Sequence, residues 1–524
     1  MAQQLQNITV QAPGFAGINS QDSPISIDQS FAATASNCII DEYGRIGARK
    51  GYTEQSSNVS FATNSRGVEA VFESLDASGD KVVFSAADNK IYSGLDFSSD
   101  ITPSGSTPAI SANNWKIVSF NNHTYFYQRG HEPLIYTDSS GSGVLAKHSS
   151  FSGATTPPQA NEVIGAYGRL WAADTTTNTK TVYWSDTLQG HKWSGGTAGS
   201  LDLTTVFPTG HDEIVALSAH NGFLVIFCKR SIIIYSGAES PANMVLHDTV
   251  EGVGCIARDS VQHTGTDIIF LSEDGVRSFG RTVQEKSMPM RDISNNVRTE
   301  LTTLVRSQLN PIKSIYSADE AFYLLSLQDS QTVYCFDMRG PLPDGANRVT
   351  TWSGVNPRSM ALLQDGSIYL GREDGIFKYE GYQDNGFSYL MSYYSNPLNF
   401  GNSTNLKFLK KFNITVIGNV AAQTTLAWGY DYEGGFTKKA FSTELANTPI
   451  SEFNVAMFGA KDDLTTPEPN YVESFYTAGI DIQRPSVNTS GSGAVVTIGI
   501  ESTINGAPYS IQQIDVHALL GRLI

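Results

Sequence analysis

The sequence predicts an all-β fold: a β-propeller of six or seven blades, a second, sandwich-like β domain and an N-terminal extended arm. Three observations predict it. The 524 residues are only 16% charged and carry 47 Gly and 23 Tyr, whereas long helical proteins are rich in Glu, Lys, Leu and Ala. A two-strand unit recurs along most of the chain. Each copy closes on an aromatic residue, and the closing aromatics are spaced like propeller blades.

The copies read KVVFSAADNKIYSG, HTYFYQRGHEPLIYTD, GRLWAADTTTNTKTVYWSD, GFLVIFCKRSIIIYSG, TDIIFLSEDGVRSFG, AFYLLSLQDSQTVYCFD and GSIYLGREDGIFKYEG. They close on Tyr92, Tyr136, Trp184, Tyr235, Phe279, Phe336 and Tyr379, which lie 43 to 57 residues apart. Val82 and Phe84 alternate with Val83 and Ser85, the period of a strand. Asp-Gly pairs at 274–275, 365–366 and 374–375 mark tight hairpin turns. A lone hairpin has nowhere to bury its apolar face, but radial stacking of blades buries it and leaves only short edges. The competing architecture is a β-sandwich that happens to contain seven hairpins.

The repeat places the propeller at 61–384. One stretch inside it, 292–308, carries Ile293, Val297, Leu301, Leu304 and Val305 at helical spacing. It is expected to be an inserted helix capped by Ser294 or Asn295, with its apolar stripe packed in the core. Residues 385–524 leave the repeat but contain further strand-like runs, LKFLKKFNITVIG, TTLAWGYDY, AVVTIGIES and IQQIDVHALLG, and are expected to form the sandwich-like domain. Residues 1–60 are expected to be an arm or wrapping segment.

The net charge of −16 and pI near 5.0 argue against a duplex-binding protein, because such proteins gain affinity by neutralising phosphates with bases. Acidity is compatible with DNA as a passenger that must not stick. Cys38, Cys228, Cys255 and Cys335 are scattered, without zinc-site spacing, and Cys228 and Cys335 sit in apolar runs as small core residues. The start lacks the basic and apolar regions of a signal peptide, and no apolar run is long enough to span a membrane. Nucleophile-elbow, zinc-helix, P-loop and dinucleotide motifs are missing. The nine histidines are dispersed and are expected at turns or on the surface. Asp462 and Asp463 read as a solvated loop, and 141–143 and 490–493 as flexible loop tips. Residues 185–193, SDTLQGHKW, faintly resemble the Asp-box turn of sialidase propellers, but occur once and with altered spacing. No cofactor or metal and no catalytic set is expected.

Three patches resemble one family. The opening stretch 13–52, with Gly17, Asn19, Ser23, Pro24, Asn37, Gly44, Arg49 and Gly51, resembles the N-terminal segment of the tail nozzle proteins (tail tubular protein B) of short-tailed bacteriophages. The stretch VGCIARDS at 253–260, followed by IIFLSEDGVRSF, and the ending IGIESTINGAPYSIQQIDVHALLGRL resemble further segments of that family. The resemblance implies a structural protein and no enzyme. It implies a homo-hexameric ring below the portal and adaptor of a virion tail, assembled in the host cytoplasm without membrane insertion. Its partners would be the tail adaptor ring, tail fibres and needle or plug proteins, with double-stranded DNA a passenger in an acidic or neutral channel. Arg45, Arg49 and Lys50, three cations within six residues of an acidic chain, are expected to contact an adjacent ring or subunit, where charge pairs set register. A solvated turn is the plainer reading of the same three residues. Two other functions stay open on sequence alone: a propeller glycosidase or lyase, which needs a carboxylate set at the axis, and a carbohydrate-binding adhesin.

Overall fold

Each of the seven hairpins read from the sequence is the second and third strand of a small antiparallel sheet. The computed structural model describes residues 5–24, 26–56, 67–75, 79–87, 90–103, 114–137, 143–207, 210–285, 292–401, 404–418, 422–431, 435–443 and 482–523. It divides into two units. One comprises 54–347 and 353–379, the other 1–53, 348–352 and 380–524.

The first unit is a β-propeller. Blade 1 holds the strands Val68–Leu75, Lys81–Ala87, Lys90–Ser93 and Ser99–Asp100. Blade 2 holds Lys116–Phe120, His123–Tyr127, Leu134–Thr137 and Val144–Lys147. Blade 3 holds Ala160–Ala166, Arg169–Thr175, Thr181–Trp184 and Gly199–Asp202. Blade 4 holds Ile214–His220, Phe223–Cys228, Ser231–Ser236 and Val245–Glu251. Blade 6 begins with Lys313–Ser317, Phe322–Leu327 and Thr332–Asp337, and blade 7 with Ser359–Leu362, Ile368–Gly371 and Ile376–Tyr379. These six are regular meanders. The fifth sheet, between blades 4 and 6, is reduced to Gln262–His263, Ile268–Ser272 and Gly275–Ser278.

First strands lie side by side from blade 1 to blade 4 and from blade 5 to blade 7, the 3₁₀ turn Arg258–Ser260 before blade 5 meets the first strand of blade 4, and the ring closes where the first strand of blade 7 meets that of blade 1. Two ties seal this seam: Val68 N–H donates to Arg372 O at 2.8 Å, and Ser359 Oγ donates to Val68 O at 3.0 Å. Blade 7 is also held by the start of the unit, since Gln55 N–H donates to Ile376 O at 2.8 Å.

Radial stacking gives each sheet two buried faces. In blade 2, Phe126 packs with Phe84 and Ile91 of blade 1, while Tyr125 and Tyr127 pack with Val163 and Leu170 of blade 3. In blade 4, Leu224 and Ile226 face blade 3, while Val225 and Phe227 face Ile268 and Phe270 of blade 5. Both registers of a strand must then be apolar, which is why LVIF at 224–227 runs without alternation. The seven closing aromatics are all buried.

The helix expected at 292–308 is present as a 3₁₀ turn, Asn295–Val297, followed by α2, Arg298–Arg306. Ile293, Val297, Leu301 and Val305 are buried as expected. Ser294 does not cap it. Its hydroxyl accepts the Val276 N–H of blade 5 at 2.9 Å instead. An unexpected helix, α1 (Phe279–Glu285), follows blade 5 because Asp267 satisfies its first turn, accepting the Gly280 N–H at 2.8 Å.

The second unit contains two antiparallel-rich sheets. In one, Asn405–Gly418 pairs along its length with Tyr509–Leu523. The N-terminal strand Leu5–Gln11 adds to the same partner, from Leu5 opposite Leu519 to Gln11 opposite Gln513. In the other, Phe31–Ser36 pairs with Tyr389–Ser395, which pairs with Val496–Ile504 and through it with Ala422–Tyr430. Ile8, Val10, Ile514 and Val516 of the first sheet line one small cavity with Tyr393, Ser395 and Ile498 of the second, so the inner faces oppose one another as in a sandwich. The opening residues are therefore integral strands of this unit and not a separate arm: paired edge strands satisfy backbone groups that a detached arm would leave to water.

Two glycines of the opening stretch are fixed by close approach. A Cβ on Gly17, which has φ +79°, would stand 2.5 Å from Val349 O. One on Gly51 would stand 1.9 Å from Gln383 O, where Tyr52 N–H also bonds. Gly51→Ala is expected to destabilise the chain by about 3 kcal/mol or more, because backbone must move. Gly340→Ala, where an added Cβ meets nothing within 4 Å, should stay within about 0.5 kcal/mol of wild type. Urea unfolding of both variants checks this.

Candidate functional site

Where the first strands begin, at one end of the propeller axis, the inner strands carry charge in place of apolar residues. Glu69, Lys116, Glu162 and Lys313 occupy the first, second or third position of the first strand in blades 1, 2, 3 and 6. Arg258 and Asp259 reach them from a 3₁₀ turn, Arg258–Ser260, that leads into blade 5.

Arg258 is the hub. Its guanidinium binds Asp259 through Nε and Nη2, both at 2.8 Å. Nη1 donates to Asn114 O at 2.9 Å and Asn161 O at 2.6 Å, and Nη2 to Trp115 O at 3.0 Å. Glu162 Oε2 lies 3.8 Å from Arg258 Nε and 3.2 Å from Lys116 Nζ. Lys313 Nζ donates to Asp259 Oδ2 at 2.6 Å, and Ser314 Oγ to Asp259 O at 2.7 Å. Glu162 Oε1 receives the Leu217 N–H of blade 4 at 3.4 Å. Around the same mouth, Arg129 pairs with Asp174 at 2.8 Å and Arg358 with Glu69 at 3.4 Å. Blades 2 to 6 are thus tied to a single charge chain, Lys116–Glu162–Arg258–Asp259–Lys313.

Burial and charge oppose each other here. Burial pushes the Glu162 carboxyl up, against the pull of Lys116 and Arg258. Asp259, although burial would raise it, is held well below the ordinary carboxylate range by Arg258 and Lys313. Burial lowers the Lys313 ammonium, with Asp259 opposing. Two carboxyls pushed apart in this way resemble the acid and base of a hydrolase. Access decides against that reading. The Glu162 side chain is 1% exposed, and both Asp259 oxygens are occupied by Arg258 and Lys313. Among the described residues, no three His, Cys, Asp or Glu side chains gather as a metal site. No helix of those residues is long and apolar enough to cross a membrane.

The cations named from the sequence do not form one patch. Arg49 points inward and is wholly buried. It makes a two-pronged bond to Asp384 at 2.8 and 2.7 Å, donates to Asn37 Oδ1 at 3.0 Å and lies 4.1 Å over the Tyr389 ring. It is a core cation and is removed from the expected contact with a neighbour. Arg45 is paired within its own turn to Asp41 at 2.6 Å and lies over the exposed Tyr43 ring. Lys50 is half-buried.

The other sequence features resolve as structure. Asp186 ties its turn by accepting from Thr187 N–H, Thr197 N–H and Thr197 Oγ1. The 490–493 tip is a packed turn, since Ser490 O accepts from Trp428 Nε1 and Tyr430 Oη, each at 3.0 Å. His148, expected at a turn or on the surface, lies in a turn but is fully buried. Cys228 and Cys335 are core residues, and all four cysteines are buried. Asp462, Asp463 and residues 141–142 lie outside the described residues.

Sequence reading missed the axial chain. Its signal was a charged residue at the start of the strand before four of the seven hairpins: Glu69 in VEAVF, Lys116 in WKIVSF, Glu162 in NEVIG and Lys313 in KSIYS. The hairpins overshadowed the strands that precede them.

Fold and site define a β-propeller with a chain of paired charges at one end of its axis, joined in one chain to a second β unit. No family model and no curated protein matches the chain. Solved structures give distant likenesses. The extracellular domain of a hybrid two-component system of B. thetaiotaomicron has a TM-score of 0.40 at 11% identity, covering 65% of this chain and 41% of that one. Hydrazine synthase of Kuenenia stuttgartiensis scores 0.38 at 11% identity, over 62% and 98%. The Cps50 (Swd1) β-propeller domain of Myceliophteria thermophila scores 0.37 at 9% identity, over 60% and 99%. These likenesses transfer no function, and the propeller is established by its ring of sheets.

Removing the hub strands two buried carboxylates. Arg258→Met is expected to destabilise the propeller by about 3–5 kcal/mol, and adding Glu162→Gln should restore part of that loss. Urea unfolding of the single and double variants measures the coupling.

Asp259 also sets an acid limit. Its folded pKa lies below the ordinary 3.8, so its stabilisation is complete above that value and is lost as pH falls beneath it. The stability difference between wild type and Asp259→Asn should be largest near neutrality and shrink below about pH 4. Glu162 runs with the opposite sign, because its raised pKa favours the acid side, and Glu162→Gln separates the two contributions. Denaturant titrations across this range check both.

Proposed function

We propose that the chain is a structural subunit of a bacteriophage tail, a nozzle protein whose six copies form a ring around the DNA-ejection channel below the portal and adaptor. The observation that carries this reading is the role of the residues behind the resemblance. Gly17, Asn37, Arg49 and Gly51 each fix backbone or a buried charge in the second unit, and Arg258 and Asp259 form the propeller hub. A motif made wholly of architectural residues suits a building block better than an enzyme. A propeller with its axis plugged by paired charge is a solid wall element, so DNA passes between subunits and not through one. The net charge of −16 favours a wall that repels the passenger. In this reading Arg45 and Lys50 remain for contacts with the neighbouring ring, while Arg49 serves the fold alone.

The purified chain, alone and mixed with a portal–adaptor assembly, is expected to give six-fold rings by electron microscopy and no salt-sensitive duplex binding. A stable monomer that cleaves or binds host-surface polysaccharide would instead support the glycosidase or adhesin function.

A further inference from the structure

Between blades 2 and 3, five side chains gather six buried polar atoms, of which only the Tyr127 hydroxyl and Trp193 Nε1 stand close enough to pair with each other. They are Tyr125 Oη, Tyr127 Oη, both ring nitrogens of His148, His191 Nδ1 and Trp193 Nε1. Tyr125, Tyr127 and His148 are fully buried, and Trp193 is 8% exposed. The two tyrosines stand two residues apart on one strand and so project from the same face toward blade 3.

The 186–193 loop covers them. A Cβ on Gly190 would lie 2.7 Å from the Tyr125 hydroxyl, so that hydroxyl sits directly under the loop backbone, next to His191. Trp193 Nε1 faces the Tyr127 hydroxyl, and His148 faces His191. Phe151 closes the side, 4.7 Å from the His191 ring and 5.2 Å from that of His123. Backbone bonds fix the lid: Trp193 N–H and Ser194 N–H donate to Thr155 Oγ1 at 2.6 and 3.1 Å, and Thr155 N–H donates to His191 O at 3.1 Å.

Even with that pair set aside, four orphaned groups in one seam are too many for a folded protein to leave unpaired, because each buried unmade hydrogen bond is strongly unfavourable. The chemistry of the six selects the guest. Burial holds the tyrosines protonated and pushes His148 down to about 4, so its ring is neutral. The set therefore offers donors and acceptors without net charge. The charged groups around it are Glu132, which accepts the Ser149 N–H beside His148, and Lys147 and Lys192 next to the two histidines. Two imidazoles with protonated phenols make a poor metal site.

We propose that this seam is a sealed hydration site, in which ordered waters bridge Tyr125, Tyr127, His148, His191 and Trp193 and bond the 186–193 loop to blade 2. A buried water makes about three hydrogen bonds, so six atoms call for about two waters.

The test is a crystal structure of the full chain at a resolution that shows ordered solvent, paired with magnetic relaxation dispersion of the water signal in solution. Discrete waters within hydrogen-bonding distance of the tyrosine hydroxyls and His148 are expected. The dispersion amplitude should fall in Tyr127→Phe/Trp193→Phe, with circular dichroism unchanged. A dry seam, direct pairing of Tyr125, His148 and His191 with one another, or metal density with stoichiometric zinc would overturn the proposal. Should the double variant not fold, the wild-type crystal structure decides alone.

Discussion

The propeller depends on one guanidinium. From the turn into blade 5, Arg258 binds its neighbour Asp259 and reaches the carbonyls of Asn114 and Trp115 at the start of blade 2 and of Asn161 in blade 3, and its planar fork bonds a carboxylate with two prongs while reaching carbonyls beside it. Asp259, its neighbour in sequence, supplies the counter-charge and passes the chain on to Lys313 of blade 6. A buried charge chain of this kind adds little net stability over an apolar plug of the same shape. What it adds is uniqueness, because a ring of similar apolar blades could close in more than one register, while these partners satisfy one another in a single arrangement.

The second unit solves a related problem with the same tool. The opening stretch must turn sharply at Asn37, which has φ +55°, and lay its strands against a distant part of the sequence. Asn37 donates to Leu390 O and accepts from Arg49, and Arg49 reaches Asp384. The Tyr389 hydroxyl in turn donates to Arg49 O. Trp352 and Thr350 both donate to Cys38 O, at 2.9 and 2.6 Å. Segments hundreds of residues apart are fixed by side chains that cannot be exchanged without leaving buried polar groups unmatched. Arg49 and Arg258 are both buried, in the opening stretch 13–52 and in the stretch 253–260, which gives those stretches a physical reason for their residue types.

A chain built this way has its chemistry turned inward. The carboxylates whose pKa values are most displaced are locked by cations, the cysteines are sealed, with burial raising Cys255 to about 12, and the histidine with the strongest shift is buried between blades.

By itself the sequence determined the all-β class, the second and third strands of every blade and the buried helix. These are local matters: alternation, Asp-Gly turns and an apolar stripe are set by residues close together in the chain. It also marked Asn37, Arg49 and Gly51 as special, though not why. Tertiary structure decided the rest. The axial strands hide charges such as Lys116 and Glu162 at positions that read as loop edges, because only the ring brings their partners within reach. Arg49 reads as a surface cation until Asp384, more than three hundred residues away, is packed against it. Leu5–Gln11 reads as an arm until its partner strand near the C-terminus is in place. In each case the deciding contact is long-range, and single-sequence periodicity carries no information about which distant segment will supply the missing charge or the missing hydrogen bond.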